Sequence, residues 1–196
     1  MTRSAAKPKA EPATDPLSRL LQAHPETVFD YFEFRRVMAG NAAALAAERA
    51  TDEDLARLKD RIAAVEAAHA IDDPDQEATA DAEFHLAIYE AAHNLVMTQV
   101  MRRVFDMLKT GVFYDRTDLY RRRGVRDSFL RQHQAIWHAI AAGNPEVARN
   151  VAESHIRSTE QALREAQHAD ARRETALRRR AGSDLTARQR GIADRS

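Results

Sequence analysis

The chain has 196 residues, which suits one domain with tails, and its 30 basic and 30 acidic residues give a formal net charge of zero. The whole molecule therefore has no electrostatic reason to bind DNA or an acidic membrane. The absence of cysteine excludes disulfides and thiolate metal ligands, while the alanine-rich composition favours helices and excludes a large sheet.

The first 15 residues contain little that could be buried, and we expect a disordered tail over residues 1–15. Their charge is not followed by the apolar segment of a secretory signal. No apolar run in the chain approaches the length of a membrane span. We therefore expect a soluble, cytoplasmic protein that does not use a membrane.

Proline, glycine and capping residues divide the rest of the chain into helical segments. The leucines at 17, 20 and 21 predict a short amphipathic turn, which ends before Pro25 because the residue preceding a proline avoids the helical region. Thr51 predicts an N-cap. Further breaks are predicted at 72–74, 93–94, 115–124 and 143–145. The segments between them predict helices over about 28–50, 51–71, 75–92, 95–114, 125–142 and 146–168.

These segments predict an all-α fold, an antiparallel bundle of six or seven helices around a central metal or ligand pocket, over residues 16–168. An arginine-rich extension follows at 169–196. Between residues 171 and 196, eight arginines outnumber three acids (Glu174, Asp184 and Asp194). The extension has helical propensity but little apolar surface, which is typical of a frayed helix end or a tail.

Four residues form a candidate metal site, namely Asp81, His85, His133 and His155. Asp81 and His85 are four residues apart, so they lie on one face of a helix and can bind a single cation. His133 lies ten residues before Gly143 and His155 twelve after it, so two antiparallel helices hinged there bring both imidazoles to comparable depth. Three helices would then supply a carboxylate and three imidazoles to one pocket.

Spacing alone does not decide whether these residues bind a metal, because a lone histidine in a helix is usually a surface or hydrogen-bonded residue. Asp81 and His85 could equally form a simple i, i+4 pair. His138 lies about 140° round the helix from His133 and should miss the pocket, while His93 could line the pocket without binding metal. Histidines beside breaks or ends should be solvated; these are His24, His69 and His168.

Imidazole and carboxylate donors suit a divalent metal, with zinc favoured and nickel, cobalt, iron or manganese as alternatives. A structural zinc site would be closed and tetrahedral. A metal that prefers six ligands would keep two positions for water or for a bidentate ligand. Small 2-hydroxy or 2-oxo acids could fill such a pair through a carboxylate oxygen and the neighbouring hydroxyl or carbonyl oxygen.

Four segments together resemble a known family. They are DPLSRLLQAHPETV, FEFRRVMAGNAAALAAERATDEDL, ADAEFHLAIYEAAHN and QHQAIWHAIAAGNPEVARNVAESHI. The chain is similar, over about residues 15–166, to the C-terminal effector-binding (FCD) domain of the FadR subfamily of GntR-type bacterial transcription regulators. The segment from Arg121 to Arg126 and the leading DPLSRLL look most similar to the lactate- and pyruvate-responsive branch.

The resemblance implies an all-α bundle around a pocket, in which many members hold a divalent metal with one Asp and three His. The family motif falls here on Asp81, His85, His133 and His155. It also implies a small organic acid as effector, such as lactate, pyruvate, glycolate or citrate, and a homodimer. Two departures are an alanine before Gly40, where the family usually has an acid nearby, and a missing N-terminal winged helix-turn-helix, for which residues 1–16 are too short.

Two further residues match family positions that bind effector or lie beside the site. Arg35 would anchor the effector carboxylate through a bidentate guanidinium contact; a surface ion pair with Glu33 or Asp30 is the alternative. Asn94 would contact the ligand, although helix capping explains it equally well.

Three functions follow from these observations. The leading hypothesis is a metal-dependent sensor that binds a small carboxylate and, in a full-length regulator, changes DNA binding by population shift. The alternative is a metal-dependent hydrolase-like enzyme with Glu83 or His93 as base, although Glu83 should point about 160° away from Asp81. The third is nucleic-acid binding by the arginine-rich extension, for which a solvated tail is the simpler explanation.

Overall fold

The computed structural model describes residues 16–109, 116–122 and 124–193, and within that part all regular structure is helical. The α-helices are α1 (Pro16–Ala23), α2 (Val28–Arg49), α3 (Asp52–Ala70), α4 (Pro74–Ala91), α5 (Leu95–Lys109), α6 (Arg116–Tyr120), α7 (Val125–Ala141) and α8 (Pro145–Ala193), with a 3-10 turn at Pro25–Thr27. The all-α prediction is confirmed. The tail expected over 1–15 lies outside the described residues.

The helix ends follow local side-chain chemistry. Thr51 caps α3 in a capping box, because its hydroxyl accepts from the Asp54 amide at 3.2 Å and the Asp54 carboxylate accepts from the Thr51 amide at 3.1 Å. Asp73 accepts from two amides at the start of α4, where Pro74 is the first residue. Gly143 ends α7 with a φ of +62°. The predicted breaks at these positions are confirmed.

Small residues set the closest helix packing. Helix α2 packs most extensively on α8, and buried alanines and Gly40 lie on its inner side. A Cβ at Gly40 would lie 2.7 Å from Cγ of Glu153, so any larger residue there must displace that side chain. Helix α3 packs on α4, and α7 on α8. The apolar core therefore lies between α2, α4, α7 and α8, and α3 closes one side.

The structure extends the helical prediction in two places. A short helix, α6, occupies part of the segment that we expected to be irregular. Helix α8 continues to Ala193 rather than ending near residue 168, because no proline follows Pro145 and most residues beyond 168 are good helix formers. Residues 110–115, which include the predicted end of the helix over 95–114, lie outside the described residues. None of the described helices combines the length and hydropathy needed to cross a bilayer.

Candidate metal centre

The four residues selected by spacing meet at one point inside the bundle. Helix α4 carries Asp81 and His85 one turn apart, α7 carries His133 and α8 carries His155. All four side chains are buried, with at most 4 % of each residue exposed. One donor atom from each lies within 4.8 Å of the donor atoms of the other three. The four side chains thus converge from three helices.

The distances suit ligands of a single ion. Nε2 of His133 lies 2.9 Å from Oδ1 of Asp81, and Nε2 of His85 lies 3.3 Å from the same oxygen. Nε2 of His155 lies 3.2 Å from Nε2 of both His85 and His133. Donors bound at about 2.0–2.2 Å to one metal lie roughly 2.8–3.6 Å from their neighbours. The donor set therefore fits a divalent cation held by nitrogen and oxygen.

A neighbouring glutamine fixes the tautomer of one imidazole. The Ser158 hydroxyl donates to the Ser154 carbonyl, so it accepts from the Gln132 amide nitrogen at 3.2 Å. That contact turns the Gln132 amide oxygen toward Nδ1 of His155, 2.9 Å away, and Nδ1–H donates to it. Nε2 of His155 then presents a lone pair to the centre. This nitrogen therefore cannot donate a hydrogen bond to the imidazoles of His85 and His133 beside it. A cation, in contrast, would bind a ring nitrogen of all three histidines.

Burial and nearby positive charge also favour neutral imidazole. Burial lowers the pKa of His85 well below its usual value, and the charges of Arg35 and His133 lower it further. Burial raises the pKa of the nearby Tyr89 hydroxyl, so Tyr89 stays protonated. A neutral imidazole is the form that binds a metal. The electrostatics and the geometry of the site therefore agree.

Aromatic rings enclose the imidazoles. Phe84 packs edge-on against His133 with ring centroids 5.6 Å apart, and Phe129 packs edge-on against His155 at 5.5 Å. Such contacts restrict the orientation of the imidazole rings and keep water from their faces.

A small cavity connects the four-residue site to Arg35. Arg35 is buried on α2, and its guanidinium lies 5.7 Å from the centroid of the Phe105 ring. The cavity has about 10 Å³ of space for the centre of a water molecule, so it is narrower than a small organic acid. Its walls are formed by Arg35, Asp81, Leu119, Tyr120, Phe129, His155 and Thr159.

Other residues considered from the sequence lie elsewhere. Asn94 caps α5 by accepting from the Met97 amide at 3.1 Å and does not line the cavity beside the site. His93 lies at the predicted break in a left-handed conformation, with a φ of +50°, and its ring lies 2.7 Å from Asp54. Glu83 is exposed and pairs with Arg61 at 2.6 Å.

The expected positions of the remaining histidines are mostly confirmed. His24, His138 and His168 are exposed. The prediction for His69 was wrong, because its side chain is only 24% exposed and lies 2.9 Å from Glu77 and 3.1 Å from Asp127. The break after α3 folds His69 back onto α4 and α7, which spacing alone could not indicate.

A buried ion pair ties together the two helices that carry Asp81 and His133. Glu77 is 1% exposed on α4, and its carboxylate accepts from Nε of Arg126 on α7 at 2.5 Å. Arg126 also donates to the His69 carbonyl at 3.2 Å. Burial raises the pKa of Glu77, and the hydrogen bond from His69 opposes that shift. Glu77 precedes Asp81 by four residues and Arg126 precedes His133 by seven, so this pair sets the helix spacing beside the site.

The chain matches the FCD domain over residues 30–158. It is 38% identical over 141 residues to an Escherichia coli protein named as a regulator of the L-lactate dehydrogenase operon, covering 72% of this chain and 53% of that protein. It is 30% identical over 153 residues to the Glc operon transcriptional activator of Escherichia coli, and the match covers 76% of this chain and 60% of that protein. The chain therefore spans little more than half the length of these relatives.

Solved structures show the same fold at lower sequence identity. A GntR protein of Streptococcus agalactiae superposes with a TM-score of 0.57 at 24% identity, covering 76% of this chain and 62% of that one. McbR/YncC of Escherichia coli superposes with a TM-score of 0.60 at 20% identity, covering 71% and 65%. These similarities concern the fold alone.

Replacing Arg126 by alanine should lower the free energy of unfolding by about 3 kcal/mol, because the carboxylate of Glu77 would remain buried without its main partner. The matched change Arg121→Ala, at an exposed residue paired with exposed Asp118, should cost less than about 0.5 kcal/mol. Urea unfolding followed by circular dichroism measures both. Equal losses of unfolding free energy in the two variants would show that the buried ion pair stabilises the fold no more than the exposed one.

Proposed function

The chain belongs to the FCD domain family, and from this premise we propose that it is the sensor domain of a GntR-type transcription regulator that binds a divalent metal and a small organic acid. The observation that carries the proposal is the convergence of Asp81, His85, His133 and His155, all buried, within 4.8 Å. Zinc is the favoured ion, with nickel, manganese or iron as alternatives, because the donors are imidazole and carboxylate. When bound, the metal would supply positive charge to oxygen atoms of the effector.

Arg35 is the proposed anchor for the effector carboxylate. Its buried guanidinium shares a cavity wall with Asp81 and His155, and guanidinium binds a carboxylate through two parallel hydrogen bonds. Relatives named for the L-lactate dehydrogenase operon and the Glc operon favour acids of the lactate, pyruvate, glycolate or citrate class. Because the cavity is narrow, the pocket would have to widen to admit such an acid, and Leu119 and Tyr120 of the short helix α6 form part of its wall.

An acid held between Arg35 and the metal centre would bridge α2 to α4, α7 and α8. The conformation that accepts this bridge would gain population on binding. In a full-length regulator the change would reach DNA through a winged helix-turn-helix, in the cytoplasm, and in the homodimer that the family resemblance implies. Asn94 is a weaker candidate for effector contact, since its side-chain oxygen caps α5.

The hydrolase-like alternative has less support. The similar proteins are named as transcription regulators rather than enzymes. The two bases considered for it, Glu83 and His93, pair with Arg61 and Asp54 and do not line the cavity. Neither residue therefore has the geometry that water activation would need.

Replacing His133 by alanine should weaken zinc binding by more than about 100-fold, which exceeds the usual effect of an outer-sphere partner. His138→Ala is the matched control, because His138 lies on the same helix with an exposed side chain. Isothermal titration of chelator-treated protein with zinc measures the affinity, and metal analysis of protein purified without chelator measures occupancy. Equal zinc affinity in both variants would refute the site.

Gln132 should act on the metal through His155. Gln132→Leu removes the acceptor that fixes the imidazole tautomer, so zinc affinity should fall roughly 10- to 100-fold. Gln134→Leu is the control, since Gln134 lies two residues along α7 and donates to exposed Glu66. The same titration distinguishes the two variants, and unchanged affinity in Gln132→Leu would contradict the assigned tautomer.

Arg35→Met, which keeps much of the side-chain volume, should weaken the binding of the preferred acid by roughly 10- to 100-fold, because a charged bidentate contact is lost. The neighbouring change Arg36→Met is the control. Zinc-loaded protein is titrated with lactate, pyruvate, glycolate and citrate. Retained zinc binding in Arg35→Met would show that the metal site is intact, and a silent response of the unmodified protein to all four acids would exclude this effector class.

A further inference from the structure

The hydroxyl of Tyr89 on α4 is buried in the core without a hydrogen-bond partner. Tyr89 is 2% exposed, and within the part of the chain that the structure describes its oxygen makes no hydrogen bond. A buried polar group without a partner costs free energy, and folded proteins contain few of them. We propose that this hydroxyl is an effector contact, which donates a hydrogen bond to the carboxylate that Arg35 binds. This role rests on the proposed function and adds a donor to the same pocket.

Tyr89 continues a row of buried polar residues on the inner side of α4. Asp81, His85 and Tyr89 follow one another at steps of four residues. Each therefore lies about 40° round the helix and about 6 Å along it from the one before. Asp81 and His85 belong to the four-residue metal centre. Tyr89 thus lies one helical turn beyond that centre.

Arg35 and Tyr89 both lie against Phe105 of α5. The guanidinium carbon of Arg35 is 5.7 Å from the centroid of the Phe105 ring, and the centroid of the Tyr89 ring is 6.1 Å from it. All three side chains are buried, so they form one cluster between α2, α4 and α5. Burial raises the pKa of the Tyr89 hydroxyl, and the charge of Arg35 opposes that rise. The guanidinium and the phenol therefore lie in the same region of the core.

A carboxylate is the group that fits these two side chains. Tyr89 stays protonated, because burial raises its pKa, so it has one hydrogen to donate. Guanidinium has donors only, and a carboxylate accepts through both of its oxygens. One carboxylate can therefore accept from Arg35 and Tyr89 together. An amide in its place would direct its own N–H donors at the donors of the protein and would bind less well.

The Tyr89 hydroxyl also gives the direction in which the narrow cavity would widen. The cavity beside the metal centre has Arg35 in its wall, and Tyr89 does not line it. An acid that enters needs more room than this cavity offers. An opening on the Arg35 side would bring the carboxylate of the acid to the hydroxyl. The hydroxyl would then gain the partner that the described core does not provide.

The test separates a hydroxyl that serves the effector from one that serves the fold. Tyr89→Phe removes the hydroxyl and keeps the ring against Phe105. Thr98→Val is the matched control, because the Thr98 hydroxyl is also buried but donates to the Tyr89 carbonyl at 2.8 Å. Isothermal titration of the zinc-loaded full chain with lactate, pyruvate, glycolate and citrate measures the acid affinity. Zinc titration measures the metal site, and urea unfolding without acid measures stability.

Tyr89→Phe should bind the preferred acid roughly tenfold more weakly, because a hydrogen bond to a charged group is lost. Its zinc affinity should be unchanged, and its urea midpoint should not fall, because the hydroxyl has no partner to lose. Thr98→Val should show the reverse, a lower midpoint with unchanged acid affinity.

Unchanged acid affinity in Tyr89→Phe, with weaker binding in Arg35→Met, would overturn the role of Tyr89 and leave the proposed function standing. A fall in the Tyr89→Phe midpoint equal to that of Thr98→Val would also overturn it, since the hydroxyl would then be a structural group. Failure of the unmodified chain to bind any of the four acids would refute both the proposed effector class and this contact.

Discussion

The bundle is organised by the meeting of one carboxylate and three imidazoles in a mainly apolar core. Buried polar groups are costly unless they are satisfied, and these four come from α4, α7 and α8. Their donor atoms lie within 4.8 Å of one another only if all three helices keep a single register. A slide of one helix by one residue, about 1.5 Å, would break the convergence.

Several other features serve that register. Gly143 has a left-handed conformation, which lets α7 turn directly into α8 and brings His133 opposite His155. Gly40 and the buried alanines of α2 allow α2 and α8 to approach closely enough for the buried guanidinium of Arg35 to share a cavity with His155. The ion pair of Glu77 and Arg126 holds α4 against α7 beside the site. Local chain chemistry and long-range packing thus point to the same arrangement.

Periodicity and chain breaks predicted the helices. Spacing along one or two helices also picked out the four converging residues as candidates, and the family resemblance then supported them as one site. Asp81 and His85 share a face by the geometry of a single helix, and a glycine hinge relates His133 to His155. Gln132 escaped prediction because it serves a histidine on the next helix rather than its own neighbour in sequence. His69 was wrongly expected in solvent because its burial depends on how α3, α4 and α7 pack together. No local sequence pattern indicates that packing.

The reach of α8 was also underestimated, and the reason bears on function. Composition indicated that the residues beyond 168 are polar, but it does not indicate whether their charged side chains lie on one face of a helix. A continuous helix fixes the direction of each side chain and places the exposed residues 170–180 on the same element as His155. Arg180 lies about 37 Å along the helix axis from His155, so a tilt of α8 of about 5° at the pocket would move that end by about 3 Å. If the proposed function holds, an effector that tilts α8 would therefore displace the exposed end of the helix further than the pocket itself.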